Sequence, residues 1–480
     1  MATSLEERGY FWWHDDPIPT GKLGPDSAIS GVLKIDDTGR SELDLDGVLP
    51  NEAGPFGMLA VREERDIQGL LKSRNQKALV VKARPSGGSL QSAGISSQKL
   101  TASHCLIGSG KLPAAGDSQS FDRLTVPLDG MEEWLQLESI KLERPSVGEH
   151  ITVTYAMPEP RSYALDDGTL SITYNISAPF AEHWSTHDLK MTETASVVYK
   201  PTETMSLDGA LSYYLLLGEF LLLLTGSEYT LPWPILRCEG CKEGFRCYFF
   251  RYTSPAPSPK WHECITRFPQ VSETFGRMFT TWRQKKEALG PGLNMYIATR
   301  RSIQLYVEHR FVNLIWGLES LHRRRAVKMA NTKLEDKIAR ILACITGRRD
   351  KIWLAGQLRH AAEPTLEQRI FETLRVLPLG LDMSALRKFA KKCAETRNDI
   401  SHYGGQRDGE NSDKRYADFM LMVHKQSDAL SCLYHALILY EIGLDERILK
   451  WWFYQGYQSF GFKAILKRAG LLSSEVEVTK

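Results

Sequence analysis

The chain has 480 residues, 42% of them hydrophobic and 25% charged, with a formal net charge of +2. This composition is that of a soluble globular protein, which excludes a disordered or fibrous chain, and the length exceeds one ordinary core, so two or three domains are expected. The small net charge hides a split: from Tyr296 onward there are 31 Lys and Arg against 21 Asp and Glu, which leaves 29 against 37 before it. The C-terminal part is therefore basic and the N-terminal part acidic, and a polyanion such as RNA is expected at the C-terminal part.

The chain opens Met1-Ala2-Thr3-Ser4-Leu5-Glu6-Glu7-Arg8, with acids where a secretory signal carries basic residues, so a cytoplasmic protein is expected. Eight cysteines in such a compartment are expected to be reduced.

The first part reads as β-rich. Ile29 to Ile35 and Glu42 to Leu49 alternate apolar with small or polar residues, and Asp37-Thr38-Gly39-Arg40 between them carries turn chemistry, which predicts a hairpin. Further strands are predicted at Ala78 to Ala83, Ile151 to Tyr155 and Leu170 to Ile176. The Ser- and Gly-rich run from Pro85 to Gln98 reads as a loop. Short strands with frequent turns point to a sandwich or barrel-like sheet. Leu211 to Leu224 is strongly apolar but broken by Gly218-Glu219, so it reads as a buried helix rather than a bilayer span.

The period then changes. Ile303, Val307, Leu314 and Leu321 recur at helical spacing and predict one long amphipathic helix from Met295 to Arg325. Helices are also predicted at Leu334 to Ile345, Thr365 to Leu377, Ser384 to about His402, Tyr416 to Tyr440 and from Arg447 onward, with Asp382-Met383-Ser384 as a start signal and Gly404-Gly405 as a stop. Gly290-Pro291-Gly292 has the composition of a linker. The expected organisation is a β-rich sensor-like domain over 1–206, a helical and Cys-bearing connecting segment over 207–290, and an all-α bundle over 291–480, hence an α+β multidomain fold.

The most informative stretch is Arg397-Asn398-Asp399-Ile400-Ser401-His402, at the end of the basic helix containing Arg387-Lys388-Phe389-Ala390-Lys391-Lys392. A guanidinium holds phosphate bidentately and an imidazole moves protons near neutral pH. With the 2′-hydroxyl of RNA as the attacking group, a nuclease needs only to move protons and stabilise charge on phosphorus. His402 suits proton transfer, Arg397 charge stabilisation, and Asn398 orientation of the phosphate or the imidazole. A lone imidazole is one fewer than a separate acid and base, which suggests a second copy of the site from a two-fold partner.

This hexapeptide matches the HEPN signature of arginine, four to six residues, then histidine, with asparagine beside the arginine. Together with Phe311 to Arg323 on the predicted long helix, Phe11-Trp12-Trp13, Ile29-Ser30-Gly31-Val32-Leu33 and Met131-Glu132-Glu133-Trp134-Leu135, it makes the chain resemble ApeA-type HEPN proteins from about Gly9 to about Tyr440. That resemblance implies a β-rich N-terminal domain before a HEPN bundle, and a metal-independent endoribonuclease acting in antiphage abortive infection, its site formed between paired HEPN domains. It maps the family's arginine, asparagine and histidine to Arg397, Asn398 and His402. Glu319 matches a polar position of the family's long helix, and a packing or helix-surface role is expected for it.

Other readings stand beside this one. In a second reading the helical part is a non-catalytic dimerisation or interaction module, with recognition in the front domain. Cys238-Glu239-Gly240-Cys241, Cys247, His262 and Cys264 offer five soft donors, but without a second paired knuckle; no cofactor is expected, and a structural zinc is the alternative to free thiols. Cys344, Cys393 and Cys432 read as small core residues. Trp12-Trp13 and Trp451-Trp452-Phe453-Tyr454 are expected to pack rather than stack on bases. His309, His322, His360, His424 and His435 show no partner in the sequence.

Overall fold

The computed structural model describes residues 3–50, 64–73, 76–89, 91, 94, 96–112, 119–137, 139–143, 152–177, 190–252, 256–301, 305–325, 332–358, 361, 363–403 and 413–472. The chain forms two compact units, one made of Met1–Leu222, Tyr229–Trp261 and Arg267–Gly276, the other of Leu223–Glu228, His262–Thr266 and Arg277–Lys480. The fold is β-rich first and helical second, as the change of period predicts.

The first unit begins with six strands that close on themselves: β1 (Thr3–Trp13), β2 (Ile29–Asp36), β3 (Ser41–Leu45), β4 (Arg65–Leu71), β5 (Lys77–Ser89) and β6 (Ser97–Ala102). They run in the order β5-β4-β1-β2-β3-β6, and β6 returns to pair with β5, which makes a barrel. Inward positions alternate along each strand, so Phe11, Leu33, Ile35, Leu43, Leu45, Ile67, Val80 and Leu100 fill one apolar interior. The predicted hairpin is β2 and β3, whose turn is held by Asp36 Oδ1 accepting from the Thr38 and Arg40 amides at 2.9 and 3.0 Å.

Beyond the barrel the sheet continues with β7 (His104–Gly108), β8 (Phe121–Pro127), β11 (Arg161–Leu165), β12 (Gly168–Ser177), β13 (Thr192–Pro201), β14 (Ile235–Cys238) and β15 (Phe245–Phe249), while β9 (Ile140–Glu143) and β10 (Thr152–Tyr155) form a separate pair. Of the run from Pro85 to Gln98 read as a loop, 85–89 and 97–98 are instead strand, Arg84 to Ser89 pairing with Thr101 back to Ser97, while 90, 92, 93 and 95 lie outside the described residues. Small residues lack the alternation that marks a strand, and here the partner strand, not side-chain burial, holds the backbone. The β14 and β15 hairpin lies inside the strand order, between β8 and β7, so the Cys-bearing stretch contributes to the sheet itself. Helix α1 (Glu132–Leu135) buries Trp134 against Phe268 of α3 (Phe268–Val271), with ring centroids 5.6 Å apart.

Helix α2 (Leu207–Thr225) is long and apolar enough to cross a membrane by length and composition, but 61% of that stretch is buried inside the protein, as the buried-helix reading expects.

The helical unit contains α4 (Phe275–Leu289, whose first turn belongs to the other unit), α5 (Pro291–Arg300), α6 (Val307–Arg325), α7 (Thr332–Ala343), α8 (Arg348–Leu358), α9 (Leu366–Leu374), α10 (Met383–Tyr403), α11 (Asp413–Glu441), α12 (Glu446–Tyr454) and α13 (Ser459–Arg468). The long helix predicted from Met295 to Arg325 is two helices, α5 and α6, because Arg301 leaves the helical region at φ −90° and ψ 87°. The two pack on each other, so their apolar stripes continue one another's period across the break. Contact between them is close at Gly292, where a Cβ would meet the Gly317 carbonyl oxygen at 2.9 Å. Gly290-Pro291-Gly292 is a corner between α4 and α5, with Pro291 at the first helical position. Helix α8, absent from the sequence reading, has no buried residue and hence no core-facing stripe to betray it.

The core of this unit is α6 against α11, with Phe311, Leu314, Leu318, Leu433, Tyr434 and Leu437 fully buried. Tyr434 Oη donates to the Gly292 carbonyl at 2.7 Å. Trp452 and Phe453 are buried and pack on Phe462, centroids 4.6 and 5.4 Å away, and Trp12 is buried in the barrel unit, so these aromatics pack as expected.

Candidate functional site

Helix α10 carries the hexapeptide, and its sequence explains where it starts and which way it faces. Asp382 caps it, accepting from the Ala385 amide at 2.7 Å through Oδ1. Leu386, Phe389, Ala390, Cys393 and Thr396 are buried, a stripe at three- and four-residue spacing, while Lys391 and Lys392 on the other face are exposed. The preceding helix α9 packs against α10, and the Arg387 guanidinium lies 4.6 Å over the Phe371 ring.

Continuing the stripe from Leu386 through Ala390 and Cys393, the next position is Arg397, a cation where the pattern calls for an apolar residue. Arg397 is half-buried; its Nη1 donates to Asn398 Oδ1 at 3.1 Å, and its Nε is shielded from solvent with no hydrogen-bond partner among the described residues. No ion pair neutralises it among the described residues. The guanidinium thus keeps donors in reserve, the state a phosphate-binding arginine needs. Asn398 accepts from Arg397 through Oδ1, which leaves the amide's own N–H groups as donors.

Position 402 lies on the same helix, one turn beyond position 398, so on the backbone the asparagine and histidine share a face. Arg397 and position 402 are separated by about 7.5 Å along the axis and about 140° around it, from the ordinary rise and turn of a helix. The His402 side chain and Gly404-Gly405 lie outside the described residues. The structure therefore joins Arg397 to Asn398 directly and joins position 402 to them through the helix.

Glu319 has an account that the sequence withheld. Its Oε1 accepts from Arg369 Nη1 at 2.9 Å and Arg323 Nη2 at 3.1 Å, while Arg369 Nη2 reaches Glu363 at 2.6 Å and its Nε donates to the Pro364 carbonyl at 2.8 Å. This network ties α6 to α9 and holds Arg369 at 4% exposure, a packing role of the kind expected for Glu319. Arg369 was not singled out in the sequence; the signal was there, because it precedes Ile370 on the buried stripe of α9. His322 Nε2 lies 2.7 Å from Glu372 on the same pair of helices.

His435 is buried, pairing with Tyr296 Oη through Nδ1 at 2.6 Å and with the Leu223 carbonyl through Nε2 at 2.8 Å. A carbonyl only accepts, so Nε2 carries the proton and Nδ1 accepts from the tyrosine. Burial pushes this imidazole down to about 3, so it is a structural neutral ring and not a proton shuttle.

Cys241 and Cys238 share a turn, the Cys241 amide donating to the Cys238 carbonyl at 3.1 Å, whereas Cys247 is wholly buried and Cys264 belongs to the other compact unit. Among the described residues no group of three His, Cys, Asp or Glu side chains is placed to hold a metal ion. Cys393 is core, as expected, but Cys344 is exposed just past the end of α7, a helix with no buried residue among its described positions.

Comparison with known families fits this architecture. Residues 6–282 match the family described as ApeA N-terminal domain 1, more than half of the chain, and residues 312–448 match Apea-like HEPN. The chain belongs to the ApeA family of HEPN proteins. The ApeA N-terminal match spans the barrel and the rest of the sheet, and the Apea-like HEPN match runs from α6 into α12 and contains Arg397 to His402. No curated protein and no solved structure matches the chain.

Proposed function

We propose that this ApeA-family chain is a metal-independent endoribonuclease that cuts host RNA once phage is sensed. Arg397 carries the reading: a cation on the inward stripe of α10, tied to Asn398, with guanidinium donors left over, inside the Apea-like HEPN region. In the reaction the ribose 2′-oxygen forms a bond to phosphorus and the bond to the 5′-oxygen breaks. The 2′-hydroxyl proton passes to a base and the 5′-oxygen receives a proton from an acid, leaving a cyclic phosphate and a 5′-hydroxyl. His402 is the proton-transfer group, Arg397 stabilises the charge gathering on the phosphate oxygens, and Asn398 orients the phosphate or the imidazole.

One imidazole serves as acid or base but not both at once. A two-fold pairing of HEPN domains supplies the second and also relieves the angular separation of positions 397 and 402 on a single helix. HEPN domains are in general ribonucleases and commonly dimerise and bind RNA, which supports this arrangement. The basic surplus after Tyr296 favours RNA at the same part of the chain.

The test is RNA cleavage by the purified protein in EDTA, with Arg397→Ala and His402→Ala beside the wild type. Cleavage that persists in the chelator and is lost in both variants is expected. Loss of cleavage in the chelator, or full cleavage by both variants, contradicts the proposal. Toxicity on overexpression that disappears with His402→Ala separates the enzyme from a purely interacting module.

A further inference from the structure

The barrel unit contains a cleft of about 510 Å³, a size suited to a small ligand, at the start of β4, against Val81 and Lys82 within β5 and beside the start of α2. Its construction is specific. Between Arg65 and Ile67 the β4–β5 register slips, and Lys82 opposite adopts φ +52°, a left-handed backbone that a residue with a side chain rarely takes. Asp66 stabilises this bulge, its Oδ1 accepting from the Lys82 amide at 2.9 Å while Oδ2 lies 3.4 Å from Gln119 Nε2.

A hydrogen-bond inventory of the walls says what kind of group they leave room for. Asp15 is taken by Arg65, both carboxylate oxygens lying 2.7 Å from one guanidinium nitrogen, and Glu64 is taken by Arg84. Ser103 donates its hydroxyl proton to the Val81 carbonyl at 3.1 Å, so toward His104 Nδ1, 2.9 Å away, it accepts. That fixes the proton of His104 on Nδ1 and leaves Nε2 as a bare acceptor. Burial holds the ring below its ordinary range against the pull of Asp208, so it stays neutral near pH 7. Asp208, exposed in the first turn of α2, makes no ion pair among the described residues. His14, also on the wall, keeps Nδ1 out of solvent with no partner among the described residues. With Asp15 paired to Arg65 and Glu64 to Arg84, the charges left on the lining are Asp66 and Asp208 against Lys82, a balance of one negative charge. Asp208 and His104 Nε2 are the open acceptors, Lys82 is the one open cation among the described lining residues, and the net charge is negative.

We propose that this cleft binds a ligand through a cationic nitrogen donor, an ammonium or guanidinium group, held between the Asp208 carboxylate and His104 Nε2. The inference goes beyond the ribonuclease reading and does not depend on it. The same chemistry is available from a free polyamine or from an arginine side chain of a protein, and two probes separate these sources.

The experiment is calorimetric titration of the full chain with spermidine and with acetyl-Gly-Arg-Gly-amide, using AMP as an anionic control and Asp208→Asn as the variant. Saturable binding of either cation, about tenfold weaker in Asp208→Asn as expected for loss of one charge-assisted hydrogen bond, supports the proposal. Spermidine alone assigns a free amine, the peptide alone assigns a protein side chain, and both together leave the shared chemistry in place. No saturable binding of either cation, equal affinity in wild type and Asp208→Asn, or tighter binding of AMP overturns it. Asp208 is exposed and makes no ion pair among the described residues, so the variant keeps its fold, which its melting temperature verifies.

Discussion

Two arginines on neighbouring helices occupy equivalent places and have opposite surroundings. Arg369 lies on the inward stripe of α9 with its Nε, Nη1 and Nη2 all engaged, by the Pro364 carbonyl, Glu319 and Glu363. Arg397 lies on the inward stripe of α10 with one bond to a neutral amide and a shielded Nε that meets nothing among the described residues. A cation whose donors are all matched stabilises a helix pair; one whose donors are held back is prepared for an anion that arrives later. The contrast sets a structural arginine and the arginine proposed to bind phosphate on adjacent helices of one bundle.

Substitution breaks this comparison in opposite directions. Arg397→Ala is expected to lower RNA cleavage by about a thousandfold, the scale of losing a positioned charge stabiliser, with the melting temperature nearly unchanged. Equal loss of folding stability in this variant would mean that Arg397 is a second Arg369. Conversely, Arg369→Ala is expected to cost about 3 kcal/mol of stability, because it removes the buried guanidinium that joins Glu319, Glu363 and the Pro364 carbonyl and leaves Arg323 to hold the two carboxylates, and urea unfolding measures it.

A third effect is smaller and depends on pH. The His435 ring is held down to about 3 in the folded chain, against 6.5 as the ordinary value, so the unfolded chain binds the proton first. Stability from the neutral ring is complete above about pH 6.5 and drains as pH falls toward 3, about 2 kcal/mol being gone by pH 5 at roughly 1.4 kcal/mol per unit. Urea midpoints at neutral pH and pH 5 should converge in His435→Gln; a pH dependence unchanged by that substitution contradicts the assignment. The smallest expected effect, about 1 kcal/mol, is Gly443→Ala. Gly443 ends α11 at φ +93°, where the Leu444 amide turns back to the Leu439 carbonyl at 3.0 Å, and a melting curve measures the loss.

The sequence made some of this legible and hid the rest for identifiable reasons. The β2–β3 hairpin was readable because its alternation and its Asp-Thr-Gly-Arg turn are local. Helix α10 was readable because both its cap and its apolar stripe are local too. The closure of the barrel was not, since pairing of β6 with β5 depends on register between strands whose Ser and Gly residues carry no pattern. The break between α5 and α6 was hidden because two helices facing each other keep one period. At the candidate site, residue types and spacing were legible, but the sequence offered no means of telling Arg397 from Arg369, since the difference lies in which carboxylates the fold brings near. The cleft beside His104 was invisible for the same reason: its lining comes from β4, β5, β7 and the start of α2, far apart in the chain.

The chemistry of the cut ends tests the central claim most directly. RNA digested by the full chain in EDTA should yield fragments with a cyclic phosphate on one side and a 5′-hydroxyl on the other, and none when His402→Ala replaces the wild type. Fragments carrying a 5′-phosphate and a 3′-hydroxyl, or the same fragments from the His402→Ala chain, would contradict it.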